Sequence, residues 1–204
     1  MIIEINSSIK RDNNENFNKM TKEEFVKTYY SLAENAGKKF NLNPTVILAQ
    51  GAHESGWGSS YAARVRKNFF GILAAGSPNV YWDGSKSASQ TNPNLVFRIY
   101  KTEQDSFMDF ARLISMNYKS AAAVSNDSTQ YAKAIAYSPY ISEQNGDNRP
   151  LYQSAIISNS SYIDSMADLL KKKWLRIKLE LAQGWHPLLF QALHTITGKR
   201  LSTI

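Results

Sequence analysis

Apolar residues recur with helical spacing along most of the chain. Thr21-Lys22-Glu23-Glu24 has the spacing of a capping box, and Phe25, Tyr29, Leu32, Ala33 and Ala36 follow on one face before Gly37. Asn43 and Pro44 open a second helix, Asn43 as the cap and Pro44 in the first turn; it runs through VILAQGAHE and breaks at Gly56 or Gly58. Ile47, Gln50, Gly51 and Glu54 are spaced to share a stripe of that helix. Between about residues 68 and 100 the period changes. Val80-Tyr81-Trp82, the turn pair Asp83-Gly84, and Leu95 to Tyr100 predict short strands or a hairpin-like lobe. Helix returns at Thr102 to Asp105, a second capping-box spacing, with Phe107, Phe110, Ala111, Ile114 and Tyr118 in period. A short helix is expected around Tyr131 to Ala136. The polar loop SEQNGDNRP then leads to a helix on which Tyr162, Met166, Leu169, Leu170, Trp174, Ile177 and Leu181 share a face, and Pro187 to Thr197 predicts one more helix before Gly198. The expected fold class is mainly α (α+β): an irregular lead-in over 1–20, a helical domain with a small β insertion over 21–170, and a helical extension over 171–204.

Composition narrows the chemistry. The 204 residues, 43% of them hydrophobic, suffice for one sizeable core. Cys is absent, which excludes disulfides, thiol nucleophiles and Cys-ligated metals. Of the formal net charge of +7, all but one unit belongs to the C-terminal end. There Lys171, Lys172, Lys173, Arg176, Lys178, Lys199 and Arg200 face the single acid Glu180. Such a patch favours polyanions without choosing among them. With the charge so local and no base-reading motif, nucleic acid is not an expected partner. No apolar run approaches a membrane span, and MIIEINSSIKRDNNENFNK lacks the pattern of a secretory signal.

Candidate chemistry converges on 49-AQGAHESGWGSS-60. His53, His186 and His194 are the only imidazoles, and neither HExxH nor any other metal-ligand spacing is present, so no metal or cofactor is expected. GxSxG, P-loop and GxGxxG patterns are also absent. Glu54 closes an apolar helix. Negative charge at a helix C-terminus opposes the macrodipole, and the neighbouring Trp57 is expected to desolvate the carboxyl further; both effects favour a protonated acid at neutral pH. The flanking glycines allow a sharp turn beside it.

The same stretch resembles the leading motif of glycoside hydrolase family 73, the bacterial glucosaminidases related to the flagellar muramidase-like protein, whose pattern is Ala-Gln-x-x-x-Glu-Ser-Gly-Trp-Gly. Three further segments follow in the family's order. Asn68-Phe69-Phe70-Gly71-Ile72 is similar to its Asn-Leu-Phe-Gly-Ile, Phe97-Arg98-Ile99-Tyr100 to its Phe-Arg-x-Tyr, and Ala136-Tyr137-Ser138-Pro139-Tyr140, with differences, to its Tyr-Ala-Thr-Asp-Pro-x-Tyr. The resemblance covers roughly residues 44–168. It implies a lysozyme-like helical lobe and β-hairpin lobe flanking a cleft, and cleavage of the β-1,4 bond after N-acetylglucosamine in peptidoglycan glycan strands. Glu54 takes the position of the general acid, and Tyr137 that of a cleft tyrosine placing the sugar or the reacting water. Trp57, Asn68, Phe70 and Tyr140 are the expected substrate-binding or wall residues.

A second carboxylate is harder to place. The family's Thr-x-Glu in the β lobe is matched here by Thr91-Asn92-Pro93, so the candidate becomes Asp83, with the substrate's own N-acetyl group as the alternative nucleophile. Rival readings on the same fold are a lytic transglycosylase or muramidase, and a glycan-binding module without activity. The expected site of action is the periplasm or cell wall, reached by a phage-type route, a specialised secretion apparatus or assembly into an envelope machine. Delivery as an antibacterial toxin would add an immunity protein as a partner. The basic extension is expected to pack on the domain, with wall polymer or a membrane surface as the alternative contact.

Overall fold

The computed structural model describes residues 19–142 and 146–182. The chain divides into two compact units, residues 1–164 and 165–204. In the first, α1 (Lys22–Phe40) begins at the expected capping box: Thr21 N–H donates to Glu24 Oε2 at 2.8 Å and Glu24 N–H returns to Thr21 Oγ1 at 3.2 Å. The helix continues through Gly37, whose carbonyl accepts from Leu42 N–H at 3.0 Å; a Cβ at Gly37 would lie 2.4 Å from Leu42 O, so only glycine lets the chain turn back here. Asn43 caps α2 (Pro44–Ser55) by accepting from Thr45 N–H at 2.8 Å. A short α3 (Tyr61–Arg66) follows.

The β lobe departs from its sequence pattern. Its strands are β1 (Lys86–Ala88) and β2 (Val96–Arg98), antiparallel with Ser87 opposite Phe97. Val80-Tyr81-Trp82 is not a strand: Asn79 and Trp82 form an isolated bridge, Val80 is 85% exposed, and Trp82 turns inward under Arg98. The remaining helices are α4 (Glu103–Asn117), which begins with the second capping box, α5 (Lys119–Ala123), α6 (Ser128–Ala136) and α7 (Arg149–Ala182).

The core of the first unit lies where α1, α2 and α4 meet the segment after α3. Phe25, Phe69, Phe70, Phe107 and Phe110 are buried together, Phe70 and Phe110 stacked with ring centroids 3.9 Å apart. Gly51 makes this close approach fit, because a Cβ there would lie 3.3 Å from Phe70 Cε1. Early α7 joins the same unit through Thr45 Oγ1, which donates to Asp164 Oδ1 at 2.6 Å, and Asn159 Nδ2, which donates to Ala49 O at 3.3 Å.

Arg98 and Asp109 hold the β lobe to α4. Asp109, with no exposed surface, accepts from Arg98 Nη1 at 2.5 Å, Tyr100 Oη at 2.8 Å, Asn79 Nδ2 at 3.0 Å and Arg112 Nη2 at 2.9 Å. Arg98 also donates to the carbonyls of Leu73 and Ala75, and its guanidinium lies 4.1 Å from the Trp82 ring centroid.

In the second unit, α7 continues to the end of the described residues with ion pairs Lys171–Asp168 and Arg176–Glu180 and with Leu169, Leu175 and Leu179 exposed. The expected helix at Pro187 to Thr197 and the lead-in over 1–18 lie outside the described residues. No helix among the described residues is long and apolar enough to cross a membrane.

Candidate active site

Glu54 occupies the last turn of α2, with only 8% of its surface exposed. The helix stops just beyond it because Gly56, Trp57 and Gly58 all take left-handed backbone, with φ of 56°, 57° and 75°. A tryptophan in that region is uncommon. It is held there by Trp57 N–H donating to Ala52 O at 2.8 Å, and by Ser55 Oγ, which donates to Gly51 O at 2.5 Å and accepts from Gly58 N–H at 2.7 Å. A Cβ at Gly58 would meet Phe25 Cδ2 at 3.2 Å on top of the positive φ. Gly58→Ala is therefore expected to destabilise the fold by about 1–2 kcal/mol, measured as a shift of the denaturant midpoint at unchanged slope.

Burial pushes the Glu54 carboxyl up to about 8, against the pull of one hydrogen bond from the Tyr152 hydroxyl, 3.0 Å from Oε1. Asp147, half-buried in the loop before α7, raises it further by like charge. The phenols of Tyr140 and Tyr152 are raised well above their ordinary values, by burial first and then by the carboxylate. His53 lies edge-on to the Tyr152 ring at 4.9 Å; burial lowers its imidazole pKa, against the pull of Asp147. The site thus contains one acid that keeps its proton at neutral pH and is ringed by neutral phenols. Among the described residues, no group of three or more His, Asp or Glu could hold a metal ion.

The other expected site residues fall into four settings. Tyr140 comes near Glu54, half-buried, with its ring 6.4 Å from that of Tyr152. Tyr137 ends α6 with 56% of its surface exposed and the Arg149 guanidinium over its ring at 5.9 Å. Trp57, Asn68 and Phe70 are engaged in packing. Trp57 meets Phe25 and Tyr162 edge-on beneath Lys22 Nζ, and Phe70, 1% exposed, offers no ring face to a ligand. Asn68, also 1% exposed, uses its amide to tie Ile72 and Arg98 backbone together, donating to both carbonyls at 3.0 Å and accepting from Ile72 N–H at 3.0 Å. Asp83 serves its turn, accepting from Ser85 N–H at 2.9 Å and pairing with Lys101 at 3.1 Å; those hydrogen bonds to Ser85 and Lys101 hold its carboxyl down at about 2.

Sequence reasoning missed Tyr152 and Asp147, having placed both only within or beside a polar loop. One signal pointed there. Gln50 shares the Glu54 stripe, and a buried amide requires partners; Tyr152 and Tyr131 supply them.

The site is thus one buried, protonated carboxyl at the end of α2 in a mostly helical domain with a small β lobe. Residues 30–174 match the family model described as glucosaminidase, mannosyl-glycoprotein endo-beta-N-acetylglucosaminidase, and the chain belongs to that family. Among curated relatives, the peptidoglycan hydrolase FlgJ of Vibrio parahaemolyticus is 30% identical over 158 residues, covering 71% of this chain and 48% of the relative. FlgJ of Vibrio cholerae is 28% identical over 156 residues, covering 70% of this chain and 44% of the relative. The chain thus spans about half the length of these relatives. Among solved structures, the glycoside hydrolase domain of Salmonella typhimurium FlgJ has a TM-score of 0.59 at 22% identity, covering 77% of this chain and 97% of that one. A type VI secretion system effector-immunity complex from Pseudomonas protegens has a TM-score of 0.54 at 20% identity, covering 72% and 96%. At these identities the likeness is one of fold.

Proposed function

We propose that the chain is a peptidoglycan hydrolase that cleaves the β-1,4 bond after N-acetylglucosamine, with Glu54 as general acid. The observation that carries this reading is the buried Glu54 carboxyl, which keeps its proton at neutral pH while one hydroxyl donor waits to receive it as a carboxylate. A carboxylic acid of that kind can protonate a glycosidic oxygen as the C–O bond breaks. The Vibrio relatives bear the name peptidoglycan hydrolase, which supports the substrate class. Tyr140, and Tyr137 beyond it, would line the sugar's approach. The proposed site of action is the periplasm or cell wall. An immunity protein and a secretion apparatus stand as proposed partners.

For the second group, a carboxylate whose charge acts on Glu54 among the described residues is Asp147, whereas Asp83 is engaged with Lys101 and its own turn. Asp147→Asn is expected to lower kcat by about 10²-fold or more, and Asp83→Asn to leave it within a factor of about three. The reverse pattern in steady-state rates on a soluble glycan returns the role to Asp83. Loss in neither variant points to the substrate's N-acetyl group.

Product chemistry tests the bond. Digesting purified peptidoglycan, reducing the fragments and identifying them by mass spectrometry should give reduced N-acetylglucosamine ends. Reduced N-acetylmuramic ends would make the protein a muramidase, and anhydro-muramic ends a transglycosylase. Absence of products from a folded protein would leave a glycan-binding module.

A further inference from the structure

The hydrogen bonds behind Glu54 form a chain with a direction. The Tyr131 hydroxyl on α6 donates to Gln50 Oε1, Gln50 Nε2 on α2 donates to the Tyr152 hydroxyl at 2.8 Å, and the Tyr152 hydroxyl on α7 donates to Glu54 Oε1 at 3.0 Å. Tyr131 and Gln50 have no exposed surface and Tyr152 has 4%. A phenol has one proton to give. Because the Gln50 amide donates to the Tyr152 oxygen, that proton is left for Glu54. An amide turned the other way would set a carbonyl against Tyr152 and draw the proton back. Tyr131, by donating to Gln50 Oε1, holds the amide in the productive sense.

We propose that Gln50 and Tyr131 are positioning residues that aim the Tyr152 proton at Oε1 of Glu54, so that the proton Glu54 delivers is carried on Oε2. The proposal rests on the reading of Glu54 as general acid. In the transfer, the Oε2 proton passes to the glycosidic oxygen, which keeps the electron pair of the breaking C–O bond, and Glu54 is left as a carboxylate. Tyr152 remains its donor. Hydrogen bonds to an ionised acceptor are roughly twice as strong as neutral ones. The chain therefore stabilises the carboxylate being formed more than the acid it came from, and a gain of that kind lowers a barrier. Neither Gln50 nor Tyr131 touches Glu54 in this chain of bonds; both act through Tyr152.

The test is a titration of the Glu54 carboxyl by carbon NMR in the full chain without substrate, with the resonance assigned by its absence in Glu54→Gln. Wild type is compared with Tyr152→Phe, Gln50→Met and Tyr131→Phe. The other ionisable groups near this cluster, among them Tyr140, Asp147 and, against the Tyr152 ring, His53, are unchanged throughout. Tyr152 lowers the Glu54 midpoint, so Tyr152→Phe should raise it by about one pH unit. Gln50→Met and Tyr131→Phe should each move it in the same direction by a smaller step. A midpoint unmoved in both of these variants, with Tyr152→Phe alone shifted, would overturn the chain. If Gln50→Met does not fold, Tyr131→Phe, which loses only a hydroxyl, decides. Because the titration requires no turnover, shifted midpoints in a protein that cleaves no glycan would refute the acid role and leave the chain standing.

Discussion

Glu54→Gln should lose catalysis and gain stability. The amide preserves the shape and the acceptor for Tyr152 but has no proton to give, so turnover of a soluble glycan should fall by about 10³-fold or more. Stability should move the other way, and the sign follows from linkage. The folded carboxyl is raised to about 8 from an ordinary value of 4.5. The folded state therefore binds the proton more tightly than the unfolded state. That contribution is fully present below pH 4.5 and is lost progressively as pH rises through 8. At pH 7 the wild type has given up roughly 3 kcal/mol that the non-titrating glutamine retains. Thermal melts of the two proteins should nearly coincide at pH 4.5 and separate steadily toward pH 8, the variant melting higher. A variant that loses activity and also melts lower at pH 8 would mean that Glu54 is a structural ion rather than a stored acid.

Asp109→Ala should be the most damaging single change in the β lobe. It removes the acceptor of Arg98, Tyr100, Asn79 and Arg112 at once and leaves the guanidinium of Arg98, a residue only 7% exposed, without a counter-charge. Removing one partner of a buried pair costs about 3–5 kcal/mol, a large share of the stability of a domain this size. Asp83→Ala provides the contrast. It breaks an exposed pair with Lys101, worth about 0–1 kcal/mol. Urea unfolding of both variants checks the difference. Comparable midpoints would show that the lobe is held by packing instead of by this ionic centre.

The helical frame was legible because its signals are local. Both capping boxes, the Asn43-Pro44 start and the helical spacing of Phe25, Phe107 and Phe110 each lie within a few residues. Glu54 was legible for the same reason, as an acid ending an apolar helix. β1 was not, because Lys86-Ser87-Ala88 has no apolar alternation and owes its conformation to pairing with Val96–Arg98. α3 and α5, of 6 and 5 residues, are too short to show a period. Trp57, Asn68 and Phe70 show how much packing a motif leaves unsaid. They belong to the quoted segments, yet the first turns its ring to Phe25 and Tyr162, the second braces a loop and the third fills the core. The Arg98 and Tyr100 of a third segment likewise converge on Asp109, a residue outside every quoted motif. Tyr152 illustrates the opposite limit. It lies 98 residues from Glu54, and only the packing of α7 on α2 brings its hydroxyl to the carboxyl.

Whether burial keeps Glu54 protonated is read in the pH dependence of kcat/KM on a soluble glycan between pH 4 and 10, a window spanning the ordinary and the raised values of the carboxyl. Loss of a required proton should appear as a descending limb centred near pH 8. A descending limb centred near the ordinary carboxyl value of 4.5 would mean that burial does not hold the proton on Glu54, and an ascending limb there with no fall near pH 8 would mean that Glu54 works ionised. Either result would contradict the account.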